Sequence, residues 1–189
     1  MLEPRGPAWC ARYPTSASLG DLEASFAVSV GAFLKALREA DADVEIHATY
    51  RPPERAYLMH WACQVAGYRD KAGAFIQCSP FDVPPMDGVD IDWTHGGDMG
   101  VARAAAVAMR DAYGVVFPAS LTSLHCLRRA IDMTIAWEGP LAITNATSQR
   151  IIISSAPRDG GNFALWQVGK TYGVIKLDSD PPHWSDTGR

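Results

Sequence analysis

The stretch Ser123-Leu124-His125-Cys126-Leu127-Arg128-Arg129-Ala130-Ile131-Asp132-Met133 changes character half-way along. Up to Arg129 it is polar and irregular; from Ala130 to Ala136 it reads as a short β-strand. His125 and Asp132 are seven residues apart, an odd number, so one unbroken strand would aim them at opposite faces. They converge only if the chain turns between them, with His125 on a loop and Asp132 on the strand Ala130–Ala136. Downstream, β-like runs recur at Leu141–Thr144, Ile151–Ser154 and Gly173–Leu177, interrupted by a helix at about 159–171. Val115–Phe117 is a further short β-like run. Upstream the period is helical: Leu22, Phe26, Val30, Phe33 and Leu37 recur at spacings of three and four, ending near Ala40. Val44-Glu45-Ile46-His47-Ala48-Thr49 then alternates as a half-buried strand. Pro52 and Pro53 suit the first turn of a helix over 53–67, and an alanine-rich helix at 98–112 stops at Gly114. Helices first and strands later predict an α+β fold, with helices packed on a small, mainly antiparallel sheet.

Composition sets the frame. The 189 residues, 48% hydrophobic and 20% charged, suit one domain able to bury a sizeable core. Residues 1–18 read as an irregular lead-in, residues 19–189 as the single domain, and 68–97, dense in Gly, Pro and Asp, as a long loop. Seventeen Lys+Arg against 21 Asp+Glu give a net charge of −4, with no basic block of the kind that marks nucleic-acid binding. No apolar run approaches the roughly 18–20 residues that span a bilayer. The N-terminus has neither the basic nor the apolar region of a signal peptide. Cys10, Cys63, Cys78 and Cys126 show no CxxC spacing, so they fit free thiols or two disulfides better than a four-cysteine metal site.

Two segments concentrate the chemistry: Ser123–Met133 and Asp178-Ser179-Asp180-Pro181-Pro182-His183-Trp184. Together they hold two imidazoles and several carboxylates, and two His with one carboxylate is a common catalytic zinc set. A single histidine in such a setting is more often a hydrogen-bonded structural residue than a ligand. Pro181-Pro182 favours polyproline II, which would put Asp180 and His183 on one side, about 9 Å apart at Cα.

Ser123-x-His125 followed by Ala130-x-Asp132 resembles the SxHxxGxAxD motif of the zinc peptidoglycan peptidases. That family contains D-alanyl-D-alanine carboxypeptidases and L-alanyl-D-glutamate endopeptidases, and shares its metal-site fold with the Hedgehog signalling domain. Asp180-Pro181-Pro182-His183-Trp184 resembles the family's acid-x-x-His-aromatic motif, and Tyr50-Arg51-Pro52 its upstream Tyr-Arg segment. The resemblance implies His125, Asp132 and His183 as Zn²⁺ ligands and Asp180 as the general base that takes the proton of the attacking water. It implies Arg51 as a contact to substrate carboxylate or developing oxyanion, with Ser123 and Trp184 beside the substrate. The implied activity is hydrolysis of peptidoglycan stem peptides at the cell wall or periplasm. Aspartate at position 180 is closer to the L-alanyl-D-glutamate endopeptidases. The alternatives are a D-alanyl-D-alanine carboxypeptidase and a non-catalytic cell-wall-binding module. Two positions depart from the family: Arg128 replaces the motif's glycine, and Ala56 stands where many relatives carry glutamine.

The other candidates have plainer readings. Asp87, Asp90, Asp92, His95 and Asp98 fit an acidic surface loop better than a second metal site. His47 shares a strand face with Glu45, which means either solvent or a polar cleft, and His60 fits a surface or interface position. Ser123 lacks the Gly-x-Ser-x-Gly elbow of a serine hydrolase.

Overall fold

The recurrence of Phe26, Val30, Phe33, Leu34 and Leu37 every three or four residues puts them on one stripe, and all five are at most 3% exposed. They belong to helix α1, Ala24–Glu39, whose first turn is capped by the Glu23 carboxylate accepting from the Ser25 and Phe26 amides. The computed structural model describes residues 3–4 and 6–189. In chain order its strands and helices are β1 Glu3–Pro4, α1, β2 Asp43–Ala48, α2 Pro53–Ala66, β3 Tyr68–Arg69, β4 Phe75–Ile76 and β5 Ile91–Asp92. There follow α3 Met99–Tyr113, β6 Ala130–Ala136, β7 Leu141–Thr144, β8 Arg150–Ile153, α4 Phe163–Thr171, β9 Ile175–Lys176 and β10 His183–Ser185. The fold is α+β, as the order of helical and β-like patterns predicts.

Where composition suits one domain, the contacts divide the chain into two compact units, each with its own apolar cluster. The first comprises the segment ending at Pro14 and Pro52–Ser123. In it α2 and α3 pack together around Leu58, Ala62, Val65, Ala106 and Met109. Trp9, on a 3-10 turn at Pro7–Ala11, is buried there, so the expected irregular lead-in supplies part of a core. The expected long loop at 68–97 also carries structure: β3 and β4 form a hairpin, and β5 pairs in parallel with β1. Trp93 in this segment donates through Nε1 to the Tyr57 hydroxyl at 3.0 Å. Val115–Phe117 forms no strand, and Val116 is 71% exposed. None of the four cysteines, all among the described residues, is paired in a disulfide.

The second unit, Thr15–Arg51 with Leu124–Arg189, holds a four-stranded antiparallel sheet in the order β2-β6-β10-β9. Alternation along β6 buries Ile131, Met133 and Ile135 and leaves Asp132 and Thr134 on the other face. The buried face packs with α1 and with Leu165 and Val168 of α4. Here β10 is a finding: Pro181-Pro182 suggests an extended helix, yet His183–Ser185 forms an inner strand between β6 and β9. Trp184 anchors that strand in the core, 0% exposed and 5.6 Å from the Phe33 ring.

Gly169 lets α4 approach β10. A Cβ there would come within 2.8 Å of the Val174 carbonyl oxygen and 2.9 Å of Trp184 Cζ3. Gly169→Ala is therefore expected to lower stability by about 1–3 kcal/mol in urea titration, despite alanine's better helix propensity. An unchanged midpoint would show that the contact has slack.

Candidate metal centre

Strand register brings the first two residues of the site together. His183 on β10 lies directly opposite Asp132 on β6, and side chains so paired have Cβ atoms about 4.5–5.5 Å apart. His125 comes from the turn before β6, as the odd spacing requires. That turn is closed by the Arg128 amide donating to the His125 carbonyl at 3.2 Å and the Arg129 amide donating to the Leu124 carbonyl at 2.9 Å. Arg128, at the position of the motif's glycine, has φ 62°. This left-handed conformation costs a non-glycine residue roughly 1 kcal/mol, so the turn persists under mild strain. Its guanidinium lies over the Tyr50 ring at 4.4 Å.

Three ligand atoms converge. His125 Nε2 is 3.0 Å from Asp132 Oδ1 and 3.2 Å from His183 Nδ1, and His183 Nδ1 is 3.1 Å from Asp132 Oδ1. A tetrahedral zinc with bonds of about 2.0–2.1 Å keeps its ligand atoms about 3.3–3.4 Å apart. The triangle is a few tenths of an ångström tighter than that, well within what a small rotation of each ring corrects. Hydrogen bonds serve such a triangle poorly, because its corners are acute and the two ring nitrogens face each other. One cation can use a lone pair from all three. Two imidazoles and a carboxylate in this arrangement could hold a metal ion, and the donor set suits one such as Zn²⁺.

The surroundings orient the ligands. His183 Nε2 donates to the Arg189 main-chain oxygen at 3.3 Å, so with a metal bound the neutral ring would turn its Nδ1 lone pair to the cluster. Both histidines are buried, at 2% and 6% exposure, and Asp132 is largely so. Burial alone would raise the Asp132 carboxyl, but hydrogen bonds and charge from His125 and His183 hold it well below the usual carboxylate range.

Lys176 is the contributor that the sequence does not announce. Its ammonium, on a residue 8% exposed, donates to the carbonyls of Leu177 and Asp180, each at 2.5 Å, and of His183 at 3.2 Å. The 177–183 loop is wrapped around this one cation. Burial pushes the Lys176 ammonium's pKa down, against the nearby carboxylates of Asp180, Asp178 and Asp132. A lysine normally reads as surface; the hint is its place in the apolar run Val174-Ile175-Lys176-Leu177. Lys176→Met is expected to destabilise the protein by about 2 kcal/mol, since bonds to charged donors contribute about 1.5–3 kcal/mol. It should also weaken metal binding by roughly tenfold or more, as losing an outer-shell partner does. Chelator competition reads the second effect, and wild-type affinity would show that the loop does not depend on the ammonium.

The remaining site candidates fare differently. Arg51 belongs to the site's surroundings: its amide donates to the His125 carbonyl at 3.3 Å, and its Nε is sealed from solvent without a partner. The preceding Thr49, fully buried, fixes this segment through its hydroxyl on the Ser18 carbonyl at 2.8 Å. Asp180 is exposed and its carboxylate stands outside the three-atom cluster. The polyproline II geometry expected for Asp180–His183 is not what forms. The His183 amide donates to the Asp180 carbonyl at 3.1 Å, a turn whose ends lie within about 7 Å instead of about 9 Å. The Lys176 ammonium, gathering three carbonyls, accounts for this folding-back. Trp184 is corrected outright as a substrate contact: with no exposed surface it touches core side chains, not ligand. Ser123 is half-buried and ends the first unit, two residues before His125. In the 87–98 loop, Asp92 accepts from the Thr94 and Gly96 amides and Asp98 caps α3, so both carboxylates serve the backbone. His47 meets Thr134 Oγ1 at 2.7 Å on the open sheet face, at the floor of a groove of about 610 Å³ walled by Pro181, Pro182 and Gly160.

No family model, curated protein or solved structure matches this chain. Among the described residues, no helix is long and apolar enough to cross a membrane.

Proposed function

We propose that the chain is a zinc-dependent peptidase acting on the stem peptides of peptidoglycan, with the metal-site fold of the Hedgehog and D-alanyl-D-alanine peptidase type. The observation that carries this reading is the triangle of His125 Nε2, Asp132 Oδ1 and His183 Nδ1, with sides of 3.0–3.2 Å. Three protein ligands leave a fourth position for water or substrate, as catalytic zinc sites do. Bound zinc would supply Lewis acidity toward the scissile carbonyl. The chain's own residues do the rest. Arg51, whose amide donates to the His125 carbonyl, would take a substrate carboxylate or the charge that develops on the carbonyl oxygen through its guanidinium. Asp180, at the head of the turn that ends in His183, is exposed and free to accept the proton of an attacking water and return it to the leaving amine. The direction of cleavage most consistent with aspartate at position 180 is L-alanyl-D-glutamate endopeptidase-like, with D-alanyl-D-alanine carboxypeptidase next.

One observation favours a second reading. With Asp180's carboxylate outside the cluster, the same centre suits a module that holds metal and binds cell-wall peptide without cleaving it. Incubating zinc-loaded protein with purified muropeptides separates the two. New amino groups appearing in step with protein concentration support the peptidase; retention of intact muropeptide supports the binding module. Absence of both, together with no zinc in elemental analysis, sinks the proposal.

A further inference from the structure

Along one edge of β6 the hydrogen-bond ladder is left incomplete. The Met133 amide donates to the Pro182 carbonyl at 2.9 Å, and the Ile135 carbonyl accepts from the Gly160 amide at 3.0 Å. Both residues therefore turn their main-chain groups toward the β10 side of β6, away from β2. Residues opposed in this way in an antiparallel ladder exchange two bonds, one in each direction. Here each exchange stops at one. Pro182 has no N–H to return to the Met133 carbonyl. The Gly160 carbonyl, which would take the Ile135 amide, accepts instead from Trp166 Nε1 at 2.8 Å. Among the described residues the Met133 carbonyl and the Ile135 amide are thus without a partner, on residues that are each 1% exposed. Buried main-chain groups in that condition are rare in folded proteins.

Both residues line the groove of about 610 Å³, although their side chains lie in the core on the other face of β6. They meet the groove through their main chain. Pro181 and Pro182 wall one end of the gap, Gly160 and Gly161 the other, and the Thr134–His47 pair stands beside it. The two closures, at Met133 and Ile135, are only about 7 Å apart along the strand. No further strand can run along so short an edge; a group must enter end-on, accept from Ile135 and donate to Met133. A primary carboxamide carries that acceptor and that donor on separate atoms of one planar group, whereas a carboxylate is acceptor-only and would set its oxygen against the Met133 carbonyl.

We infer that the gap between Pro182 and Gly160 is a binding site for a primary carboxamide, the group of asparagine and glutamine side chains and of amidated chain ends. Its oxygen accepts from the Ile135 amide and its NH₂ donates to the Met133 carbonyl. The site begins one residue after Asp132, but its chemistry is independent of any metal there.

The test follows the Ile135 amide resonance while the protein is titrated with propionamide, N,N-dimethylpropionamide and propionate. Propionamide should move it saturably and bind at least about tenfold more tightly than the other two, because each of them leaves the Met133 carbonyl without a donor. N-acetylglutamine methylamide and N-acetylalaninamide then separate a side-chain source from a chain-end source, and the tighter of the two names it. Equal affinity for propionamide and its dimethyl analogue overturns the inference, as does an unmoved resonance, which would make solvent the occupant of the gap. Pro182→Ala supplies the missing N–H opposite Met133, so it should erase the preference without lowering the thermal midpoint. A preference that survives in this variant overturns the inference. If Pro182→Ala loses the native spectrum, Trp166→Phe tests the other end: it frees the Gly160 carbonyl for the Ile135 amide and should weaken propionamide about tenfold, and unchanged affinity overturns the inference. Propionamide preference in protein that neither holds zinc nor cleaves muropeptide upholds this site while the peptidase reading fails; cleavage without the preference has the opposite meaning.

Discussion

His125→Ala is expected to abolish stoichiometric zinc binding. Removing an outer-shell partner of a metal ligand typically costs 10–100-fold in affinity, so removing one of only three protein ligands should exceed about a hundredfold. Asp132→Ala and His183→Ala should do the same, with elemental analysis after dialysis as the readout. The three variants differ in what else they disturb. His125 sits on a turn, whereas His183 is 6% exposed on an inner strand, so His183→Ala also leaves a hole. Wild-type zinc content in all three would remove the metal centre. In metal-free protein, His125→Ala carries a pH signature as well. Asp132's carboxyl is held low in the folded state, despite burial, by hydrogen bonds from both imidazoles. Such a group adds stability above the unfolded-state value, about 3.9, and that contribution is lost as pH falls. The variant loses part of it, so the stability gap to wild type should be open above about pH 4 and close below. A gap that widened in acid would mean that Asp132 is not held by His125.

Asp180→Asn should separate binding from turnover. The amide is nearly isosteric, and the turn it begins is held by main-chain groups: the Asp180 carbonyl accepts from the His183 amide and from Lys176 Nζ. His183 should therefore stay in place and zinc should remain near one equivalent. An amide cannot take a proton from water, and general acid–base groups contribute about 10²–10⁴-fold to rate. Muropeptide turnover should fall by at least about a hundredfold while binding persists. Wild-type turnover would remove Asp180 from the chemistry and direct attention to Asp178. Loss of zinc would mean that Asp180 is itself a ligand.

Much of the fold is legible in the sequence because it depends on local periodicity. The stripe of α1, the strand at Ala130–Ala136 and the need for a turn after His125 follow from spacings of 3.6 and 2. What escaped depends on partners far along the chain. Three residues are too few to show a period, so β10 is defined only by its pairing with β6 and β9. Proline before it argues for an extended helix, and that local preference yields to three carbonyls around Lys176. Trp184 follows the candidate ligand His183 in sequence, but strand alternation sends neighbours to opposite faces, which is why it enters the core. The division into two apolar clusters is invisible to composition, which measures how much can be buried and not where.

The pairing of His183 with Asp132 would set a clock on metal uptake at the proposed centre. His125 and Asp132 are seven residues apart and can meet as soon as their turn forms. His183 lies 51 residues from Asp132 and 58 from His125, with a hairpin and a helix between. The third candidate ligand therefore arrives only when the sheet has closed over a long loop, a slow, late event in folding. A shift of β10 by one residue would carry His183 to the hydrophobic side and Trp184 to the open one. In refolding from denaturant, capture of zinc should consequently trail the recovery of helical signal, reporting the moment when the last strand finds its place.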